Sequence, residues 1–352
     1  MITDLRLQSY RSYDDATFEF GQGVNIIVGP NASGKTNLLE AILVICRGSS
    51  YRVKDIDLIA FQEPWLRLDA SSSEGARSVI LERKEIGTEK KYIIHSVPLK
   101  RLVLTKTIPV VVFEPDHLRL LSGGPERRRE YIDSILEQTI TGFSKLRRDY
   151  KRTLAQRNRL LKNSLVRSDE MFVWNVRLSE LAGQIVSYRT ILLNKLNTDI
   201  QTIYQSLSQT STKISISYVS HCKIENYSSD LLKRLEACLD EDKTRGFTSY
   251  GPHRDDILVE IDNHPAAVSA SRGESRTILL TLKILELKII EKSRNKKPLF
   301  LLDDVFSELD GSRRKALTNY LQDYQTFITT TDADIVIQHF IDKCTIIPMN
   351  AT

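Results

Sequence analysis

No run of about eighteen apolar residues, the length a membrane-spanning helix requires, occurs anywhere in the sequence. The start, Met1-Ile2-Thr3-Asp4, also lacks the charged-then-apolar pattern of a secretory leader. A cytoplasmic protein without a membrane partner is expected. Cysteine is scarce and scattered: Cys46, Cys222, Cys238 and Cys344 form no C-x-x-C pair, so neither a zinc site nor a disulfide framework is indicated. Glycine and proline almost vanish between about residues 126 and 209, which removes the usual breaks to helix. What is present is a globular composition of 352 residues, 41% hydrophobic and 27% charged, long enough for two domains. The formal charge of +5 permits a polyanionic partner without requiring one.

The stretch Gly29-Pro30-Asn31-Ala32-Ser33-Gly34-Lys35-Thr36 follows the apolar run Val24-Asn25-Ile26-Ile27-Val28 and precedes an apolar-periodic segment starting at Asn37. A G-x-x-x-x-G-K-T spacing between strand and helix is a phosphate-binding loop. Its glycines let consecutive N–H groups curl toward phosphate oxygens, and the new helix adds its positive dipole end. Lys35 is placed to reach the terminal phosphates and Thr36 to hold Mg²⁺. The candidate nucleotide contacts are therefore Gly29, Pro30, Asn31, Ala32, Ser33, Gly34, Lys35, Thr36 and Asn37.

Alternation from Thr3 to Glu19, with the Val24–Val28 run, predicts a small β layer feeding this loop, and a helix is predicted over about Lys35 to Cys46 with Leu38, Leu39, Ile42 and Leu43 buried. Trp65–Ala70, Ser78–Lys84 and Lys91–Ser96 read as short strands, and Val110–Phe113 closes the strand-rich part. From about Glu126 to Gln209 apolar residues recur at helical spacing, as in Leu178, Leu181, Ile185, Tyr188 and Leu192, with a break near residues 163–168. Lys213–Val219 alternates as a strand, followed by a helix from Ser229 with Ser228 or Ser229 as cap. The C-terminal hundred residues supply a helix from Ser275 to about Glu291, the all-apolar strand Pro298–Leu302, a helix over Gly311–Asp323 and the strand Thr326–Thr330. An all-apolar strand between helices belongs to a buried parallel sheet. The fold class is thus α/β, with an N-terminal head part over 1–114, a mostly helical second lobe inserted over 115–245, and the rest of the head over 246–352.

The strand Leu299–Leu302 runs into Asp303-Asp304. Two carboxylates at the end of a buried strand suit one as a ligand of the Mg²⁺ held by Thr36, here Asp303, and the other as a base for the attacking water, here Asp304. Asp304 and Lys35 are the candidate catalytic pair, and Thr36 and Asp303 the candidate metal ligands. Ser307-Glu308-Leu309-Asp310 follows, and this S-x-L-D resembles the D-loop of ABC-type ATPases. Ser269-Ala270-Ser271-Arg272-Gly273-Glu274 resembles their signature, with Arg272 in place of one glycine.

Within that superfamily the chain resembles the RecF family of bacterial recombination mediators. Asn31 to Ile42, Pro115-Asp116-His117-Leu118 with Gly124-Pro125 and Arg127-Arg128-Arg129, Gly251-Pro252-His253-Arg254-Asp255-Asp256, and Leu302 to Asp310 carry the likeness, which is close to end to end. Family signatures usually hold Gln where Glu274 and Ser275 stand here. The resemblance implies an ABC-type P-loop ATPase head that binds ATP and Mg²⁺ and hydrolyses ATP weakly. It implies an ATP-dependent homodimer in which Ser271, Gly273 and Asp310 of one copy meet the nucleotide of the other, duplex or gapped DNA as substrate, and RecO and RecR as partners in loading RecA. It further implies that Arg11 touches nucleotide and that Arg52 lies over phosphate or DNA, although for each a solvated surface arginine is an equal reading.

Arg127, Arg128, Arg129, Lys145, Arg147, Arg148, Lys151, Arg152, Arg157, Arg159, Lys162 and Arg167 crowd the helical stretch. Such density suits neutralisation of phosphates without sequence readout, and also suits an ordinary solvated helical face. Arg127, Arg128, Arg147, Arg148, Lys151 and Arg152 are the DNA-binding candidates. No aromatic ladder interleaves with them, which favours duplex over single strands. Two rivals stand beside this reading. A transporter-type ATPase subunit is opposed by the absence of a switch His after Thr330 and by the basic insertion, and an SMC-like structural chromosome ATPase by the shortness of the arm.

Overall fold

The computed structural model describes residues 1–163, 168–332, 336, 338, 340 and 344–349, with only the backbone of Ser168, Ser307 and Glu308. Arg167 and most of the expected helix break near 163–168 lie outside the described residues. In chain order the elements are β1 (Ile2–Tyr10), β2 (Tyr13–Glu19), β3 (Val24–Val28), α1 (Lys35–Arg47), β4 (Trp65–Ser72), β5 (Arg77–Arg83), β6 (Thr88–Ile94), β7 (Val97–Leu99) and β8 (Val110–Phe113). Then come α2 (Arg119–Ser122), α3 (Pro125–Thr139), α4 (Phe143–Leu161), α5 (Ser168–Ser208), β9 (Ile214–Val219), α6 (Tyr227–Ala237), α7 (Leu239–Arg245), β10 (Asp256–Ile261), β11 (His264–Pro265) and α8 (Ala266–Ser269). The remainder is α9 (Arg272–Arg294), β12 (Leu299–Asp303), α10 (Val305–Glu308), α11 (Gly311–Leu321), β13 (Thr326–Thr330) and β14 (Cys344–Pro348). Contacts divide the chain into two units, Met1–His117 with Glu286–Thr352, and Leu118–Leu285.

The first unit holds a six-stranded antiparallel sheet, β2-β1-β4-β5-β6-β7, and a five-stranded parallel sheet, β14-β3-β13-β12-β8. Helix α1 packs against strands of both. Burial on nearly every side explains why its apolar residues do not stop at one stripe: Ala41, Val44, Ile45 and Cys46 join Leu38, Leu39, Ile42 and Leu43 in the core. Each buried Leu, Ile or Val among them stabilises the unit by about 1.5–3 kcal/mol. The parallel register sets Asp303 opposite Thr329, Leu302 opposite Phe113 and Thr330 opposite Val28. The strands therefore end together, and in parallel sheets that edge is where ligands bind.

The second unit combines α3, α4 and α5 with the antiparallel sheet β11-β10-β9. At 41 residues α5 is the longest element and spans about 60 Å. Leu178, Leu181 and Ile185 line its buried face with Leu231 and Leu235 of α6. The outer edge of β9 is closed by side chains of α5, where Asn197 Oδ1 accepts from Ile216 N–H (3.0 Å) and Gln201 Oε1 from Ile214 N–H (2.8 Å). Covering an edge in this way blocks unwanted strand pairing.

Three expectations change. The second unit runs to Leu285 and not to residue 245, because β10 pairs with β9 and not with either sheet of the first unit. Helix α6 is preceded by Asn226 and not capped by Ser228 or Ser229. Ser228 instead faces Gly183 of α5, where an added Cβ would lie 1.9 Å from its Oγ. Helix α9 starts three residues before Ser275. Among the described residues no helix is long and apolar enough to cross a membrane.

Candidate functional site

The loop between β3 and α1 owes its path to residues that accept a left-handed backbone. Ala32 (φ 66°) and Gly34 (φ 90°) both lie there, and a Cβ on Gly34 would come within 2.6 Å of the Tyr13 hydroxyl. That hydroxyl donates to Gly34 O at 3.0 Å and holds the loop against the start of β2. Gly29 meets a different limit, since an added Cβ would stand 2.6 Å from Met349 O. Asn37 anchors the first turn of α1 by donating to Ser12 Oγ at 3.1 Å.

Lys35 is buried and donates from Nζ to Gly29 O and Pro30 O, each at 2.8 Å. Its charge is folded over the loop with no carboxylate in those contacts. Ser33 Oγ is buried with no hydrogen-bond partner among the described residues. A buried cation satisfied only by carbonyls, beside an orphaned hydroxyl and a curl of backbone N–H groups, is a fit for an anion.

Thr36 Oγ1 donates to Asp303 Oδ1 and Oδ2 at 3.0 and 3.2 Å. The two residues are 267 positions apart and meet because α1 begins over the end of β12. Thr329 Oγ1, on the next strand, donates to Asp303 Oδ1 at 2.8 Å and accepts from Asp304 N–H at 2.9 Å. Two hard oxygen donors at one point suit Mg²⁺, which fills its other positions with water and phosphate oxygens. Among the described residues there is no cluster of three or more His, Cys, Asp or Glu that would form an all-protein metal cage.

Asp304 occupies a left-handed backbone position (φ 54°), uncommon for a residue with a side chain. Burial raises its carboxyl above the usual value and Lys35 pulls it back down. Asp310 caps α11, accepting from Arg313 N–H at 2.9 Å and pairing with the Arg313 guanidinium. The Arg313 N–H bond foremost holds its carboxyl below the usual range.

Arg11 stands at φ 54° and its guanidinium pairs with buried Glu40 of α1 at 2.8 Å, while Ser50 Oγ donates to the other Glu40 oxygen. Arg52 reaches Asp303 Oδ2 at 3.5 Å. It therefore belongs with the carboxylates of the loop and not with the charges of the helical stretch. Tyr51 donates to Glu114 Oε2 at 2.8 Å, at the end of the neighbouring strand β8. Burial raises the Glu114 carboxyl, and the nearby Asp303 charge raises it further. Thr329, Glu40, Tyr13 and Glu114 are the residues that sequence patterning overlooked. Of these Glu114 alone carried a local signal, a carboxylate directly after an apolar strand.

In the second unit Ser271 N–H donates to Glu274 Oε2 at 2.8 Å and Glu274 N–H to Ser271 Oγ at 3.2 Å. This reciprocal pair is a capping box at the start of α9. It gives Glu274, which stands in place of the family's usual Gln, a definite role. Gly273 O accepts from Thr277 Oγ1 at 3.0 Å.

The basic residues fall into two groups. Arg128 forks onto Asp256 with both bonds at 2.8 Å, Arg147 is buried among Glu130, Asp133 and Glu137, and Arg157 is fully buried on Asp242, Thr248 and Asn175. These arginines are tied into the frame of the unit, and of them Arg128 and Arg147 are among the DNA-binding candidates. Lys145, Arg148, Lys151, Arg152 and Arg159 are exposed along α4, and Arg127 is exposed on α3.

Loop, paired carboxylates and parallel sheet define an ABC-type P-loop ATPase head carrying a helical insertion. The RecF/RecN/SMC N-terminal domain matches residues 1–350. The DNA replication and repair protein RecF of Acetivibrio thermocellus is 33% identical over 347 residues, 95% of this chain and 94% of that protein. The protein of the same name from Shouchella clausii is 35% identical over 344 residues, 94% and 92% of the two chains. A solved structure of the recombination mediator RecF with ATP, in the RecFOR pathway, matches with TM-score 0.84 at 30% identity, covering 94% of this chain and 92% of that one. The Smc head domain from Pyrococcus furiosus shares the fold, with TM-score 0.51 at 15% identity over 96% and 91%. The chain belongs to the RecF family.

Proposed function

We propose that the protein is an ATP-dependent DNA-binding protein of the RecF type, a weak ATPase whose ATP form closes as a homodimer on duplex or gapped DNA. In this reading it acts in the cytoplasm with RecO and RecR to load RecA during recombinational repair. The observation that carries the proposal is the Thr36–Asp303 contact beside Lys35 and Asp304, an arrangement of α1, β12 and the loop that suits a magnesium nucleotide. The names of its relatives, replication and repair proteins, and a RecF solved with ATP support the same reading.

When bound, magnesium ATP supplies the γ-phosphoryl group and the cationic charge that polarises it. Lys35 exchanges its carbonyl partners for phosphate oxygens. Thr36 and Asp303 would hold the metal, Thr329 would keep the Asp303 carboxylate turned toward Thr36, and the Asp304 carboxylate would accept the proton of the attacking water. The exposed start of α9, with Ser271 and Gly273, is proposed to meet the nucleotide of a second copy, with Asp310 at the same interface. Arg148, Lys151 and Arg152 on α4 are the remaining duplex contacts, and they neutralise phosphates without reading bases. The rival SMC-type chromosome role rests on likeness to SMC heads, and the transporter-subunit role is opposed by Thr331-Asp332 standing where a switch His would follow Thr330.

The test pairs Lys35→Ala with Asp304→Asn. Lys35→Ala removes charge-assisted bonds of about 1.5–3 kcal/mol, so nucleotide affinity falls about 10–100-fold and ATP-dependent retention of DNA on a filter disappears. Asp304→Asn keeps nucleotide affinity and lowers turnover by at least about 10²-fold. ATP-dependent retention that survives Lys35→Ala contradicts the proposal.

A further inference from the structure

The turn Gly251-Pro252-His253-Arg254-Asp255-Asp256 is fastened from the inside at almost every residue. Pro252 O accepts from Arg189 at 2.8 Å. The Asp255 carboxylate accepts from the hydroxyls of Tyr218, Ser220 and Tyr227 at 2.8, 2.8 and 2.6 Å, and its carbonyl accepts from Arg129 at 2.6 Å. Asp256 holds the Arg128 fork. His253 lies between the Tyr150 hydroxyl (2.6 Å) and Thr248 O (3.2 Å). Gly251 sits at φ 134°, and an added Cβ would lie 2.8 Å from the Tyr150 hydroxyl.

Arg254 is the exception. Its backbone N–H closes the turn onto Gly251 O at 2.8 Å, but its side chain is exposed and lies 4.9 Å over the ring of Phe247, itself 40% exposed. No carboxylate pairs with it among the described residues. An exposed guanidinium held near an aromatic face and unpaired with a carboxylate keeps its N–H donors available, the chemistry that suits a phosphate.

The surroundings extend this into a track. Asn158 Oδ1 of α4 accepts from Thr248 N–H and Oγ1 at 2.9 and 2.7 Å, which ties the end of α4 to the segment following Phe247. Exposed Arg159 adjoins that tie, and the Lys162 chain lies 3.5 Å from where a Cβ of Gly246 would be. From Arg148 through Arg152 and Arg159 to Lys162 the helix covers about 21 Å, a span that matches a polymer of phosphates and not one free anion.

We propose that Arg254, braced by Phe247, is a DNA-phosphate contact that continues the cationic face of α4. This rests on reading the chain as a DNA-binding protein. The test is anisotropy of a 30-base-pair duplex across a salt series, with a non-hydrolysable ATP analogue, for wild type, Arg254→Ala, Arg254→Lys and Phe247→Ala. Arg254→Ala is expected to flatten the slope of log K against log salt by about 0.9, one phosphate contact. Arg254→Lys keeps the slope, and Phe247→Ala weakens binding at an unchanged slope. A wild-type slope in Arg254→Ala overturns the assignment, as does inorganic phosphate binding that depends on Arg254 while the DNA slope does not. Absence of DNA binding by wild type overturns the broader reading and this assignment with it.

Discussion

The two units put dense charge to different uses. In the first, Lys35, Asp303 and Asp304 converge where parallel strands stop, and Lys35 is held by carbonyls that a phosphate can displace. In the second, Arg128, Arg147, Arg157 and Arg189 already have carboxylates, and those pairs are the frame of the unit. The outer face of α4, with Arg254 beyond it, keeps a run of cations facing solvent. Density of positive charge in a sequence therefore says little about a polyanion site until the partners of each charge are known.

The sharpest way to break this contrast is to remove a framing arginine. Arg157→Ala leaves Asp242 buried without its cation and should cost about 3–5 kcal/mol in denaturant unfolding. Lys151→Ala, on the exposed face, should stay within about 0.5 kcal/mol and yet flatten the salt dependence of DNA binding. Equal stability of the two variants would erase the distinction.

A smaller effect is expected from pH. Burial foremost lowers His253 from its ordinary 6.5 to about 4, against the opposing pull of its bond to Thr248 O. The unfolded chain takes up this proton at a higher pH than the folded one. Stability is therefore full above pH 6.5 and declines as pH falls toward 4, by a total on the order of 3 kcal/mol. His253→Gln should remove that part of the pH dependence, measured by urea midpoints between pH 7 and 5. A variant that keeps the wild-type slope would assign it to other groups.

What the sequence made legible follows from range. The phosphate loop and the carboxylate-ended strand are local patterns of spacing and burial, and the structure brings Thr36 of the one onto Asp303 of the other. Thr329 carries no local mark, being a hydroxyl in an otherwise buried strand. The pairing of Arg157 with Asp242 and of Arg128 with Asp256 spans 85 and 128 positions, beyond any periodicity, and so their charges read as surface. The boundary of the second unit was lost for the same reason, since the partner of β10 lies on the far side of two helices. Ser271 and Glu274 show the reverse, a local S-x-x-E box that a family signature overshadowed.

In the proposed dimer the nucleotide site of one copy is completed by the α9 start of another. Sedimentation equilibrium of wild type and Ser271→Arg, with and without magnesium and a non-hydrolysable ATP analogue, tests it most directly. Wild type is expected to be a monomer that becomes a dimer with nucleotide, and Ser271→Arg a monomer throughout with ATP binding intact. A nucleotide-independent mass for wild type, or an unimpaired Ser271→Arg dimer, would contradict it.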